Sequence, residues 1–206
     1  MKSCKFPAYC FQATKSVPND SIESVARRYI KEMKKIQPEG PWRLVGYSYG
    51  ACIGFEMATM LQEEDGNDAV ERLILLDGSH LYMQTYRNVY RKAFGVTGDT
   101  LVNNPLFASE IMCAMTLRFA NVDYKKFRLE LLQLPGFKAR IHKVVETVMT
   151  TGLFKSSETI HFACEAMHSK FLMADKYKPK RKFNGLITLI RAEQGAAREE
   201  DVGHDY

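Results

Sequence analysis

Long apolar runs are missing from this 206-residue sequence. Every apolar stretch falls well short of the ~20 residues a helix needs to cross a bilayer, so no membrane span is expected and a soluble protein is. Cysteine is sparse, with five residues that lack paired spacing, and no leader-like stretch opens the sequence. That argues against a disulfide framework and a cysteine-built metal site, and it predicts reduced thiols and a cytoplasmic home. Charge of one sign is also scarce, the formal balance being a modest +5. Lysines and arginines are scattered among acids on helix-like faces and form no aromatic-interleaved strip, so nucleic acid is not an expected partner. Internal repeats and low-complexity tracts are absent too. The length suits one α/β domain or a core with an inserted cap, not two full domains.

What the sequence does contain is organised around Gly46-Tyr47-Ser48-Tyr49-Gly50. Ahead of it, Trp42-Arg43-Leu44-Val45 is short, largely apolar and bounded by Gly40-Pro41, as a buried strand should be; behind it, 51–58 reads as a helix. A strand, a G-x-S-x-G turn and a helix together make a nucleophile elbow. So tight a turn forces its serine into a strained backbone conformation. Gly46 and Gly50 are expected to be glycine because a Cβ at either would clash with the neighbouring strand and helix. Ser48 then projects its hydroxyl at the carboxyl edge of the sheet. The Tyr49 N–H, at the start of the helix, points at the same spot and supplies one donor for an oxyanion. The competing reading is three fixed residues meeting by chance in a loop, against which the flanking strand and helix weigh.

Before the elbow, 6–12 reads as a strand. Either Asp20 or Ser21 can cap a helix in which Ile22, Val25, Ala26, Tyr29, Ile30 and Met33 share one face, expected to pack against a sheet. Lys31, Lys34 and Lys35 crowd its last turns, where cations suit the dipole, and Pro38-Glu39-Gly40-Pro41 ends it. After the elbow helix, 62–68 reads as a polar loop and 71–79 as a β-run that ends in the carboxylate of Asp77. Strands alternating with helices are the grammar of a parallel sheet covered on both faces. From 81 to 176 the pattern turns helical, with segments near 82–92, 107–119, 124–132, 138–150 and 157–174, and 185–192 returns to β character. The predicted organisation is one α/β domain over 1–206, with a core of 1–80 and 177–206 and a helical cap inserted over 81–176.

A serine hydroxyl is a weak nucleophile near neutral pH and needs a base; a histidine oriented by a carboxylate fills that role in the Ser-His-Asp arrangement. Asp77 suits the carboxylate, because it ends the strand after the elbow helix and so shares a sheet edge with Ser48. Its plainer alternative is a loop aspartate that caps the next helix. His80, His142, His161, His168 and His204 all follow serine and acid, so chain order excludes none of them. His142, His161 and His168 fall in cap helices as surface or packing residues, and His80 is too near Asp77 to reach around it. His204 lies in a loop region where a base could approach. Apolar stripes in the cap, such as Ile111, Met112, Met115 and Phe119, or Val144, Val145, Val148 and Met149, would suit a flexible acyl chain. Stripes at helical spacing more commonly serve as core.

Three stretches carry a family resemblance: Gln37-Pro38-Glu39-Gly40-Pro41-Trp42-Arg43-Leu44-Val45-Gly46-Tyr47-Ser48-Tyr49-Gly50-Ala51-Cys52, Leu75-Leu76-Asp77-Gly78-Ser79 and Leu189-Ile190-Arg191-Ala192. With these, essentially the whole chain resembles the thioesterase domain at the carboxyl terminus of animal (type I) fatty acid synthase. The resemblance implies an α/β-hydrolase fold with Ser48 as the acylated nucleophile and Asp77 as the triad acid. It also implies hydrolysis of a long-chain acyl thioester, carried on the phosphopantetheine of an acyl carrier protein domain, to release free fatty acid. No cofactor or metal of the protein's own is implied, and the helical cap would form the acyl groove. In that family a further strand precedes position 6, and its loop supplies part of the oxyanion hole. The catalytic histidine there follows one more strand beyond the segment resembling 201–206. The expectation is therefore a hydrolase fold lacking its first strand and its last strand with the catalytic histidine, and impaired in hydrolysis. Two alternatives stand beside it: a thioesterase that releases polyketide or nonribosomal peptide products, and a non-catalytic remnant that binds acyl chains or a carrier domain.

Overall fold

The computed structural model describes residues 7–81 and 104–192. Helix α1 (Ile22–Ile36) begins at Ser21, whose hydroxyl accepts the Ser24 N–H at 3.1 Å. Of the two candidate caps Ser21 does the capping; the Asp20 carboxylate accepts the Ser24 hydroxyl at 2.8 Å instead. Glu23 in the first turn and Lys34 and Lys35 in the last complement the helix dipole. The apolar face is buried as expected, but it packs chiefly on helix α2 (Gly50–Asp65) and not on the sheet. Because α2 occupies the layer directly on the strands, α1 forms a second layer outside it.

Strand β1 (Trp42–Tyr47) pairs in parallel with β2 (Val70–Leu76), which pairs in parallel with β3 (Ile187–Ile190), in the order β1-β2-β3. Gly46 lies opposite Leu75, and Leu75 opposite Leu189. Along β1, Trp42, Leu44 and Gly46 are buried, while Val45 and Tyr47 are 60% and 68% exposed. That period of two marks a strand buried on one side. Among the described residues helix α2 covers one face of the sheet, so the expected cover on both faces is not found there. Nor do residues 7–12 form the expected strand: they pair with no neighbour, Tyr9 and Phe11 are exposed, and the Phe11 ring stacks on Tyr29 at 4.6 Å. Aromatic β-propensity describes fit to a partner surface, and these side chains find a helix face in its place.

Helix α2 is buried all round from Ala51 to Gln62, held between the sheet, α1 and the end of the last helix. It continues through Asp65, so most of the polar run predicted as a loop is helical. Gln62 is buried, donating to the Asn67 carbonyl at 2.9 Å and accepting the Asn184 N–H at 3.0 Å. Lys34 Nζ bridges Glu64 at 3.2 Å and Asp65 at 2.7 Å. Gly66, at φ +94°, stops the helix, and a 3-10 turn over Asn67–Ala69 leads into β2.

Helices α3 (Pro105–Thr116), α4 (Tyr124–Gln133), α5 (Gly136–Met149) and α6 (Ser157–Lys176) follow the predicted segments closely. The helix expected near 82–92 lies outside the described residues. These four helices bury their own cluster around Phe107, Met112, Leu131, Ile141 and Val148, distinct from the cluster of α1, α2 and the strands. Ile111, Met112, Met115, Val144 and Val148 are core of that cluster, while Phe119 is partly exposed. Inside it, Glu110 accepts from Tyr124 Oη at 2.6 Å and pairs with Arg128. Just beyond the end of α6, the Tyr177 hydroxyl donates to Glu56 Oε2 at 2.6 Å. Among the described residues no helix is long and apolar enough to cross a membrane.

Candidate active site

The sharp passage from β1 into α2 falls on Ser48, which has φ +52°, a left-handed conformation that a non-glycine residue adopts only at a cost of about 1–3 kcal/mol. Its N–H donates to the Leu76 carbonyl at 2.9 Å, extending the β1–β2 ladder by one residue, and its own carbonyl accepts the Ala51 N–H at 3.0 Å. Both bonds clamp the elbow between strand and helix. Among the described residues one other non-glycine residue has positive φ: Asp77, at +44°. Its N–H donates to the Ile190 carbonyl at 2.7 Å, and its Oδ1 lies 3.5 Å from the Ala192 N–H. The two strained positions thus end adjacent parallel strands at the same, carboxyl, edge.

Glycines explain how the two turns come together. A Cβ on Gly46 would lie 2.5 Å from the Gly50 carbonyl oxygen and 2.7 Å from Ala51 Cα, so the helix start leaves no room for a side chain. Gly50 does not share this role: a Cβ there meets nothing within 4 Å. The second close approach is made by Gly78, whose Cβ would sit 2.4 Å from the Ser48 carbonyl oxygen and 2.9 Å from Ser48 Cα. The Asp-Gly pair directly after a β-run signals a turn at Gly78, but its close approach to Ser48 depends on contacts across the sheet edge that no local pattern shows. Just beyond it, the Cys52 thiol donates to the Ser79 carbonyl at 3.3 Å, tying α2 to the turn after Asp77.

Tyr49 occupies the cap position of α2, at φ −53° and ψ −34°, and its N–H belongs to the first helical turn, where amides lack partners within the helix. The positive end of the α2 dipole therefore lies beside Ser48. Of the histidines, His142 and His161 are exposed beside Glu146 and Glu165, at 3.2 Å and 3.5 Å. His168 packs 4.0 Å from the Phe137 ring centroid, and His80 is buried against Phe55 at 4.5 Å. Burial holds both of these imidazoles below their ordinary pKa. His204 lies outside the described residues. Cys113 and Cys164 are poor rival nucleophiles, being buried free thiols pushed up to about 11, mainly by burial.

A parallel sheet, helices on it and a serine at a strand-to-helix elbow define an α/β-hydrolase-like fold. Within that class the chain belongs to the thioesterase domain family, whose model matches residues 4–121. It is 46% identical over 59 residues to a non-reducing polyketide synthase of Aspergillus ustus, covering 29% of this chain and 3% of that one. To polyketide synthase PksR of Bacillus subtilis it is 37% identical over 78 residues, covering 36% and 3%. A nonribosomal peptide synthetase of Aspergillus terreus is 42% identical over 53 residues, covering 26% and 6%. The chain thus spans a few per cent of the length of these relatives. Among solved structures, a four-domain nonribosomal peptide synthetase bound to AMP and glycine superposes with a TM-score of 0.60 at 17% identity, over 87% of this chain and 13% of that one. At that identity the likeness is one of fold. The fatty acid synthase resemblance gains no support from these relatives, which are polyketide and nonribosomal peptide synthases.

Proposed function

We propose that this chain is a product-releasing thioesterase of the polyketide or nonribosomal peptide type, in which Ser48 takes an acyl group from a carrier-bound thioester. The observation that carries the reading is the pair of strained turns at Ser48 and Asp77, packed together through Gly78 in a chain of the thioesterase family. Ser48 Oγ attacks the thioester carbonyl as its proton passes to a base, and the C–S bond breaks as the carrier thiolate leaves and takes up a proton. Water, or a nucleophile on the acyl chain itself, then attacks the seryl ester and restores the hydroxyl. The Tyr49 N–H donates to the oxyanion in both halves, and the Asp77 carboxylate, at the same sheet edge as Ser48, is the group that would orient a histidine acting as the base. A carrier-protein domain bearing phosphopantetheine is the partner this chemistry requires. The long-chain fatty acyl substrate is the second reading, supported by the resemblance of 37–52 to the fatty acid synthase domain noted in the sequence.

Acyl N-acetylcysteamine thioesters test the proposal. Intact mass should show an acyl adduct that maps to Ser48, and free thiol should appear. In Ser48→Ala the adduct should vanish, and any turnover should fall by about 10⁴-fold or more. Labelling of another residue, or thiol release that survives Ser48→Ala, overturns the reading. Cyclic against linear product separates release by an internal nucleophile from hydrolysis.

A further inference from the structure

Cations are scattered over most of this chain, with one exception: 176–182 holds four lysines and one arginine and no acid. The run leaves the end of α6 and is pinned along α2. The Tyr177 hydroxyl donates to Glu56 at 2.6 Å, Arg181 pairs with Glu63 at 2.5 Å, and just past the run the Asn184 N–H donates to Gln62 Oε1 at 3.0 Å. Tyr177 has an extended backbone, at φ −67° and ψ 130°, and the ring of Pro179 confines it to a compatible φ. Tyr177 and Phe183 pack on the core cluster of α1, α2 and the strands. Lys176, Lys178, Lys180 and Lys182 alternate with these inward residues and are all exposed. Among the described residues none of the four has a carboxylate partner.

We propose that this lysine row is a docking surface for an acidic helix of a partner protein. Two residues of extended chain advance about 6.6 Å, so the four lysines are attached at intervals near that value over no more than about 20 Å. A helix with one carboxylate per turn presents a charge every ~5.4 Å, and flexible lysine stems take up the difference. Lysines so spaced lie within the ~8 Å screening length and repel one another, which facing carboxylates relieve. Because the backbone is already pinned, docking orders side chains and not the segment, which lowers its cost. The residues that the run turns inward disfavour other anions. Its tyrosine is buried, so bases find no stacking platform, and the Arg181 guanidinium is already paired with Glu63 and not free to fork a phosphate. Phe183 faces the core, so the run offers a bilayer no aromatic anchor. What remains is a line of point charges, which a line of carboxylates complements.

Fluorescence anisotropy on the whole chain at about 0.15 M salt tests this. The probes are a helical peptide of about 20 residues with one glutamate per turn along one face, and a scrambled isomer of the same composition. The aligned peptide should bind about tenfold more tightly than its isomer. Lys178→Glu/Lys180→Glu should weaken that binding about tenfold, and should bind a peptide with lysine in place of each glutamate better than the unaltered chain does. The same charge change on α4, Lys125→Glu/Lys126→Glu, should alter affinity by less than about threefold. All four of these lysines are exposed, so melting temperatures should not move. Should the reversal at 178 and 180 lower the melting temperature, Lys178→Gln/Lys180→Gln carries the test, with a loss of about threefold expected. Equal binding of the two isomers, equal losses from the α4 and row variants, or tighter binding of duplex DNA or phosphatidylserine vesicles than of the aligned peptide would overturn the proposal. None of these readouts involves Ser48, so their failure leaves the thioesterase reading standing, and failure of Ser48 acylation leaves the docking result readable.

Discussion

Ser48 and Asp77 illustrate what a single residue contributes when its backbone is held against its preference. Neither φ of +52° nor φ of +44° suits a side chain, yet both are retained where adjacent strands end. The surrounding glycines make this possible, and unequally. Gly46→Ala places a methyl 2.5 Å from the Gly50 carbonyl, so a loss of about 1–3 kcal/mol is expected in denaturant unfolding, together with loss of Ser48 acylation. Gly50→Ala meets open space at a helix start and should be neutral or stabilising by about 0.5 kcal/mol. Equal destabilisation by the two changes would refute this account of the elbow. The motif shows two glycines alike; whether a Cβ fits depends on the atoms across the turn.

Helices supply the next scale, and here local signals were readable. Ser21 caps α1 as its place before an apolar periodic run implies, and Ser21→Ala should cost about 1 kcal/mol in unfolding free energy. Helices α3 to α6 likewise follow their 3.6-residue periodicity. Less legible was the way elements are joined. Tyr177, at the end of α6, donates to Glu56 on the buried helix α2, and both side chains are buried. Burial and this bond to Glu56 push the Tyr177 phenol far above its ordinary pKa, so it remains a donor at any working pH. Tyr177→Phe strips a buried carboxylate of this donor and should lower stability by about 1–3 kcal/mol in thermal or chemical unfolding. An unchanged midpoint would show that Glu56 finds another partner. No periodicity links residues 56 and 177; only packing does.

For the whole molecule, two buried clusters meet at Tyr49, which packs on both. Each side also holds an imidazole whose burial lowers its pKa: His80 stacked on Phe55, and His168 beside Phe137. In the unfolded chain such groups take up protons near pH 6.5, whereas in the folded state they resist until lower pH. The unfolded state therefore binds more protons in that window, and stability present above about pH 6.5 is lost as pH falls through the folded values. Urea midpoints at pH 7.5 and pH 5 should show the decline, and His168→Phe, which keeps a ring against Phe137, should shrink it. Midpoints that match between the two pH values would contradict the assignment.

Local order in this protein follows from the sequence itself: a capped amphipathic helix, a strand-turn-helix elbow around Ser48, a β-run ending in Asp77 and a helical stretch in the second half. Each depends on residues within a few positions of one another, where steric and hydrogen-bonding preferences act directly. Tertiary structure decided the rest. It seated Gly78 against the Ser48 backbone, put α1 on a helix in place of a sheet, left 7–12 unpaired and packed Tyr49 on two buried clusters at once. These outcomes depend on which segments pair and stack across tens of residues, and that choice follows from the burial the whole chain can achieve.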